Sequence, residues 1–160
     1  MGKGRPAITT VVAASMAISV PFIGEKEGLR TDPYKDIAGI PTVCYGETRV
    51  PMRRYTPEEC KVMLEKAVEK FATPVLELTP SLLNKPYALA AATSLAYNIG
   101  LVAYKNSTAR KRFNAGNFAG GCSAIKLWDK AKVNGKLQTV KGLVKRRNDE
   151  YKICIQDVRV

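Results

Sequence analysis

Glu27, Asp36 and Thr42 are the residues whose types and spacing suggest chemistry. The two carboxylates stand nine positions apart and the hydroxyl follows six later. They lie in a stretch from Gly24 to Thr48 that holds Gly, Pro and Tyr but no helical period. A helix cannot put positions i and i+9 on one face, because nine residues turn through about 900°, half a turn out of phase. The chain must therefore leave a helix near Glu27 and double back, with Asp36 and Thr42 on an extended hairpin. Two carboxylates facing each other across a cleft are what glycoside hydrolysis requires.

The elements that must hold this stretch come from an ordinary globular composition, 46% hydrophobic and 25% charged over 160 residues, enough for one domain and one core. The charge balance is less ordinary. Twenty-six Lys and Arg face 14 Asp and Glu, a net +12, which draws the protein toward polyanions: nucleic acid, an anionic membrane or an acidic cell-wall polymer. The sequence contains no histidine. Ser-His and Cys-His relays are excluded, and so is every zinc pattern that uses histidine. Cys44, Cys60, Cys122 and Cys154 show no CxxC spacing, and their even number fits two disulfides or four buried thiols. No cofactor and no metal are expected.

At the N-terminus, Lys3 and Arg5 precede an uncharged run of 17 residues, Ala7 to Ile23. A basic flank before an apolar run is the pattern of an export signal or a short membrane helix. The run is at the lower limit of a span and rich in Ala, Ser and Thr. Three readings compete: a signal peptide cleaved after Ser15-Met16-Ala17, a buried core helix, and a marginal anchor able to enter the bilayer and leave it. The composition fits the anchor best.

Beyond the hairpin, Thr56-Pro57-Glu58-Glu59 predicts a capped helix to about Ala72, ended or bent at Thr73-Pro74. Val62, Met63, Val68 and Phe71 are its expected inward face; Lys61, Glu65, Lys66 and Glu69 its solvated one. Pro80 to Lys85 reads as a loop, and Pro86 to Ile99 as a helix buried on all sides, introduced by Asn84 and stopped by Gly100. A short basic helix follows from Ser107 to Asn114. The next, capped by Asn117, is expected to hold Cys122 and Trp128. Asp129 to Gln138 reads as a polar loop turning at Asn134-Gly135, and a last helix runs from about Val140 to Cys154. The pattern is mostly helical with one small β region near Tyr34 to Tyr45.

At Glu27-Gly28-Leu29-Arg30, Tyr34-Lys35-Asp36 and Thr42 the chain resembles the phage-type lysozymes of glycoside hydrolase family 24. Their signature is a Glu, eight residues, an Asp or Cys, five residues and a Thr, and these three positions match it without a gap. The resemblance continues at Ala96-Tyr97-Asn98-Ile99-Gly100, Asn106-Ser107-Thr108, Phe113-Asn114-Ala115-Gly116 and Trp128. It then runs from Gly142-Leu143-Val144 through Arg146-Arg147 to Glu150. It implies a lysozyme-like α+β fold, mostly helical with a small N-terminal β-hairpin lobe. A narrower resemblance, to endolysins with a signal-anchor-release helix, implies residues 1–24 as an anchor and 25–160 as the catalytic domain. Residues 7–23 would tether the enzyme to the host inner membrane, facing the periplasm, until release. They contain no cysteine, which rules out thiol exchange from the anchor.

The same resemblance implies a monomeric muramidase acting on peptidoglycan for host-cell lysis. It would cut the bond between N-acetylmuramic acid and N-acetylglucosamine through an oxocarbenium-like transition state. Glu27 would be the general acid, a task that calls for a carboxyl still protonated near neutral pH. Asp36 would activate water and Thr42 would orient it. Arg146 or Arg147 would pair with Glu27, Tyr34 and Tyr45 would line the cleft or the core, and Trp128 belongs to the core. Four cysteines allow three pairings; for an exported enzyme Cys44–Cys60 and Cys122–Cys154 are favoured. Two alternatives remain: a lytic transglycosylase, which needs no activated water, and a non-enzymatic basic binder of DNA or membrane. Against nucleic acid, the last helix does not interleave its basic residues with aromatics, and no DNA-binding motif occurs.

Overall fold

The computed structural model describes the backbone of residues 5–158 and the side chains of 9–158. Lys3, the Arg5 side chain and the last two residues lie outside what is described. The first helix, α1 (Arg5–Glu27), passes without a break from the expected anchor into the expected acid. It ends because Gly28 adopts φ +79° and its amide donates to the Gly24 carbonyl at 2.9 Å, a glycine turn that most side chains resist. Strands β1 (Arg30–Lys35) and β2 (Pro41–Cys44) then pair antiparallel, with Tyr34 opposite Thr42 and Lys35 opposite Pro41.

Helix α2 (Pro57–Leu78) starts with the expected capping box of Thr56 and Glu59. It does not stop at Ala72 but carries Pro74 inside and runs six residues further. Proline forfeits one backbone bond there; burial of Val75 and Leu76 in the main core outweighs that loss. Its inward face is Cys60, Leu64, Val68, Ala72, Val75 and Leu76, whereas Val62 is 50% exposed rather than inward. A single 3-10 turn follows at Pro80–Leu82. Helix α3 (Pro86–Ile99) has every residue from Ala88 to Ala96 buried. Its first turn is capped not by Asn84 but from the far end of the chain, where the Asp157 carboxylate accepts from the Ala88 amide at 2.8 Å.

Helices α4 (Leu101–Lys105), α5 (Thr108–Asn114) and α6 (Phe118–Ile125) close one end of the core. Trp128 falls beyond α6, in the turn after it, and packs half-buried at the core edge. The expected polar loop is a second hairpin, β3 (Lys130–Val133) and β4 (Lys136–Thr139). Asn134 and Gly135 both take positive φ, 53° and 80°, the turn whose twist suits paired strands. Helix α7 (Lys141–Cys154) completes the layer against α3, followed by a 3-10 turn at Ile155–Asp157.

Helix α1 packs along α2 and α3. Val11 and Val12 enter the main core, while Val20 and Ile23 form a second cluster with Leu64 and Val68. Ser15 and Ser19 are buried with them, Ser15 returning its hydroxyl to the Val12 carbonyl at 2.8 Å. No helix among the described residues is long and apolar enough to cross a membrane. With 23 residues α1 has the length and lacks the apolarity.

Cys44 joins Cys60 and Cys122 joins Cys154, the two favoured pairings. The first rivets β2 to α2 with Cys44 at φ 62°, a left-handed conformation uncommon outside glycine. The double substitution Cys44→Ala/Cys60→Ala opens a loop with a sequence separation of 16. It should lower the unfolding free energy by about 3 kcal/mol, read as a lower urea midpoint, with Cys122–Cys154 intact by mass spectrometry.

Candidate active site

Glu27 is the last residue of α1, and the Gly28 turn sends the chain directly into the first hairpin. Its Oε2 accepts from Nη1 of Arg146 at 2.8 Å, a bond between the two ends of the described chain. Of the two adjacent arginines, then, Arg146 is the partner. The Glu27 side chain keeps 27% of its exposure, against 8% for Arg146. One position earlier, Lys26 donates to Asp149 Oδ2 at 2.7 Å, which also accepts from Lys145 at 2.9 Å. Together the two lysines hold the Asp149 carboxyl below its ordinary value. Successive residues of α1 thus clasp α7.

Asp36 and Thr42 meet at the backbone of one residue, Ile40, rather than at each other. The Asp36 Oδ1 accepts from the amides of Ala38 and Ile40, both at 2.9 Å. The Ile40 carbonyl accepts from the Asp36 amide at 3.0 Å and from the Thr42 hydroxyl at 2.8 Å. Asp36 builds the turn with one carboxylate oxygen, as aspartates in turns do. Its Oδ2 takes no hydrogen bond among the described residues. Thr42, 3% exposed, has committed its only proton to Ile40, so what its oxygen offers is an acceptor. No hydrogen bond joins Glu27 to Asp36 or Thr42 among the described residues.

Behind Arg146 lies an ionic network buried in the core. Glu150, with no exposed surface, faces Arg146 Nε at 3.5 Å and Arg147 Nε at 2.6 Å, and accepts from the Ser94 hydroxyl. Arg147 reaches on to the Trp128 carbonyl at 3.4 Å. Burial pushes the Glu150 carboxyl above its usual value, opposed by Arg147, Ser94 and Arg146. The arginines are expected beside Glu27, but Glu150 and Ser94 have no expected role. Their signal is there all the same: Arg146 and Arg147 precede Glu150 by four and three positions, the spacings that meet on a helix.

Tyr97 of α3 stands in the field of this cluster. Burial, then the negative charges of Glu27 and Glu47, push its hydroxyl up to about 12 against the pull of Arg146. Glu47, half-buried just past the first hairpin, is itself raised by burial, with Lys70 opposing. Tyr34 sits on β1 under the Arg30 guanidinium, 4.2 Å from its ring centre. Tyr45 packs between the two smaller hydrophobic clusters. A recess of about 800 Å³ between α1 and α2, lined by Met16, Val20, Gly24, Leu29, Tyr45 and Leu64, touches none of Glu27, Asp36 and Thr42.

Residues 24–150 match the phage lysozyme family. The SAR-endolysin of Pseudomonas phage phiKMV is 41% identical over 147 residues, covering 89% of this chain and 89% of that one. Among solved structures, the endolysin from Escherichia coli O157:H7 phage FAHEc1 superposes with a TM-score of 0.78 at 36% identity, over 89% of this chain and 93% of that one. The muramidase domain of SpmX from Asticaccaulis excentricus gives 0.78 at 26% identity, over 86% and 95%. The lysozyme-like α+β architecture is common to them.

The Tyr97 shift has a consequence for stability. Its phenol ionises at about 12 in the folded protein and at 10.0 when unperturbed. Below the lower value it is neutral in both states, and its contribution is complete. As pH climbs from the lower value toward the upper, only the unfolded chain releases the proton, and stability falls. Urea midpoints should decline through that window, and Tyr97→Phe should flatten the decline.

Proposed function

The chain belongs to the phage lysozyme family and is a glycoside hydrolase of the lysozyme type; on that premise we propose that Glu27, Asp36 and Thr42 carry out the hydrolysis of peptidoglycan, at the bond between N-acetylmuramic acid and N-acetylglucosamine. The observation that carries this reading is the division of labour within each carboxylate. Glu27 has one oxygen tied to Arg146 and Asp36 has one tied into its turn, which leaves Glu27 Oε1 and Asp36 Oδ2 without hydrogen bonds among the described residues.

Glu27 delivers its proton from Oε1 to the glycosidic oxygen while Arg146 keeps the group from rotating. Positive charge then grows on the sugar ring, and Asp36 stabilises it. A water lies against the hairpin, giving one hydrogen to Asp36 Oδ2 and the other to Thr42 Oγ1, whose own proton is already committed to Ile40. With both hydrogens held, its lone pair is directed at the anomeric carbon. Asp36 takes the proton as the new bond forms. Attack from the face opposite the leaving group inverts the configuration.

The net charge of +12 suits an enzyme that must stay near an acidic wall. The name of the phiKMV relative, SAR-endolysin, supports a membrane-tethered state through residues 7–23 before release to the periplasm.

Glu27→Gln should reduce turbidity clearing of purified cell walls by about 10³-fold with its circular dichroism unchanged; appreciable hydrolysis by this variant overturns the assignment. Wild-type products should carry reducing ends, and anhydromuramic ends would replace hydrolysis by transglycosylation. The full-length chain should fractionate with membranes and be freed unclipped by a depolarising agent. Release only as a chain shortened near Ala17 would establish a cleaved signal instead.

A further inference from the structure

The charges around Arg146 form a chain that runs from the part-exposed Glu27 into the core. Glu27 takes Nη1 of its guanidinium at 2.8 Å, Glu150 faces Nε at 3.5 Å, and Nη2 reaches the Ser94 carbonyl at 3.4 Å. All three nitrogens are therefore occupied. Beyond Glu150 comes Arg147, with Nε 2.6 Å from Oε1 and Nη2 donating to Oε2 at 3.2 Å. Two cations and two anions alternate, and only Glu27 is open to solvent.

Nothing in the hydrolysis uses Glu150 directly. An ion pair buried this deeply is not explained by stability, because a well-packed apolar set of similar volume often does as well or better. Its position explains more. A lone arginine beside a carboxylate favours the ionised form, the wrong form for a group that must give a proton. Arg146 orients Glu27, and a second carboxylate on its far side takes up part of its charge.

From this geometry we infer that Glu150 is a positioning residue that acts through Arg146: it fixes the guanidinium from inside the core and compensates its charge, so that Glu27 is oriented without being locked as an anion. The inference rests on the reading of Glu27 as the general acid. When Glu27 is neutral, Arg146 still has its anion. The other charged groups around Glu27 do not share a cation with it. Lys26 is taken by Asp149, which Lys145 also pairs. Tyr97 faces it from α3, and Glu47 lies beyond, within the field of Lys70. Asp36 is on the adjoining hairpin. On α7, Arg147 meets Glu150 and not Glu27.

The test is the pH dependence of kcat/KM for cell-wall hydrolysis, in which the alkaline limb marks loss of the acid's proton. Glu150→Gln gives the whole charge of Arg146 to Glu27, and the alkaline limb should move to lower pH by about one unit. The rate on the acidic side should fall less than the rate on the alkaline side, with KM unchanged. Because that variant leaves Arg147 buried without a partner, Arg147→Gln/Glu150→Gln is made beside it; it removes cation and anion together and should show a displacement in the same direction but smaller, since the anion nearer to Arg146 and the cation beyond it are lost together. Glu150→Asp, which retains the charge, should bring the limb back toward its wild-type position. A limb that stays in place in the folded variants, or a loss of rate uniform over all pH values, would reduce Glu150 to a structural role and overturn the inference. Glu27→Gln, measured in parallel, keeps the two readings apart. If it is inert and the limb does not move, only the role of Glu150 fails; if it is active, the acid itself is misassigned.

Discussion

One guanidinium joins the beginning of this protein to its end. Arg146 is held between the part-exposed carboxylate of Glu27 and the buried one of Glu150, and it is the point at which the last residue of α1 meets α7. Glu27 has its place only while α1 lies in its groove on α2 and α3, because a helix end cannot be positioned apart from its helix. Everything that seats α1 therefore also orients Glu27: Val20 and Ile23 against Leu64 and Val68, the Lys26–Asp149 pair, and the close approach of Gly24 to Leu64. A β-carbon added at Gly24 would come within 3.0 Å of Leu64 Cδ2, which explains the small residue there.

The surface that α1 buries is unusual for a core helix. Val11, Val12, Val20 and Ile23 share it with two serines, Ser15 and Ser19, that lie fully inside. Such a helix gains less from burial than a leucine-rich one, since the favourable free energy scales with the apolar area removed from water. It also loses less when it leaves, because its hydroxyls can bond back to its own carbonyls, as Ser15 does. A helix of this kind is poorly committed to either hydrocarbon or water, and packing against the alanine-rich α3 gives it a third environment, close-packed and dry.

What residue spacing reveals here divides along a physical line. The helix end at Glu27, the hairpin bearing Asp36 and Thr42, the capping box of α2 and the buried run of α3 are all local consequences of turn residues and periodicity. The errors arise where distant contacts decide. Pro74 reads as a helix stop because proline lacks a donor, yet α2 continues since Val75 and Leu76 are buried. Asn134-Gly135 marks a turn correctly, but the pairing of the short, exposed strands beside it leaves no hydrophobic alternation to read. For the same reason Arg146 and Arg147 look alike in the sequence. Which one faces Glu27 depends on how α7 rotates against α1, and no local pattern encodes a rotation between helices. The Asp157 cap on α3 is further removed still, a bond across 69 positions.

The backbone of Ile40 bears on how a site can be altered and still survive. Its amide and carbonyl tie together the turn, the Asp36 carboxylate and the Thr42 hydroxyl, while its side chain is 48% exposed and does none of that. The position that fixes the geometry is therefore chemically silent. Selection on side chains has little hold on residue 40, with one exception: proline, lacking the amide hydrogen, would remove the bond to Asp36. Sequence drift over this turn can be wide without the turn losing its shape, and a comparison of related chains could find a variable residue at the point on which the Asp36 and Thr42 side chains both depend.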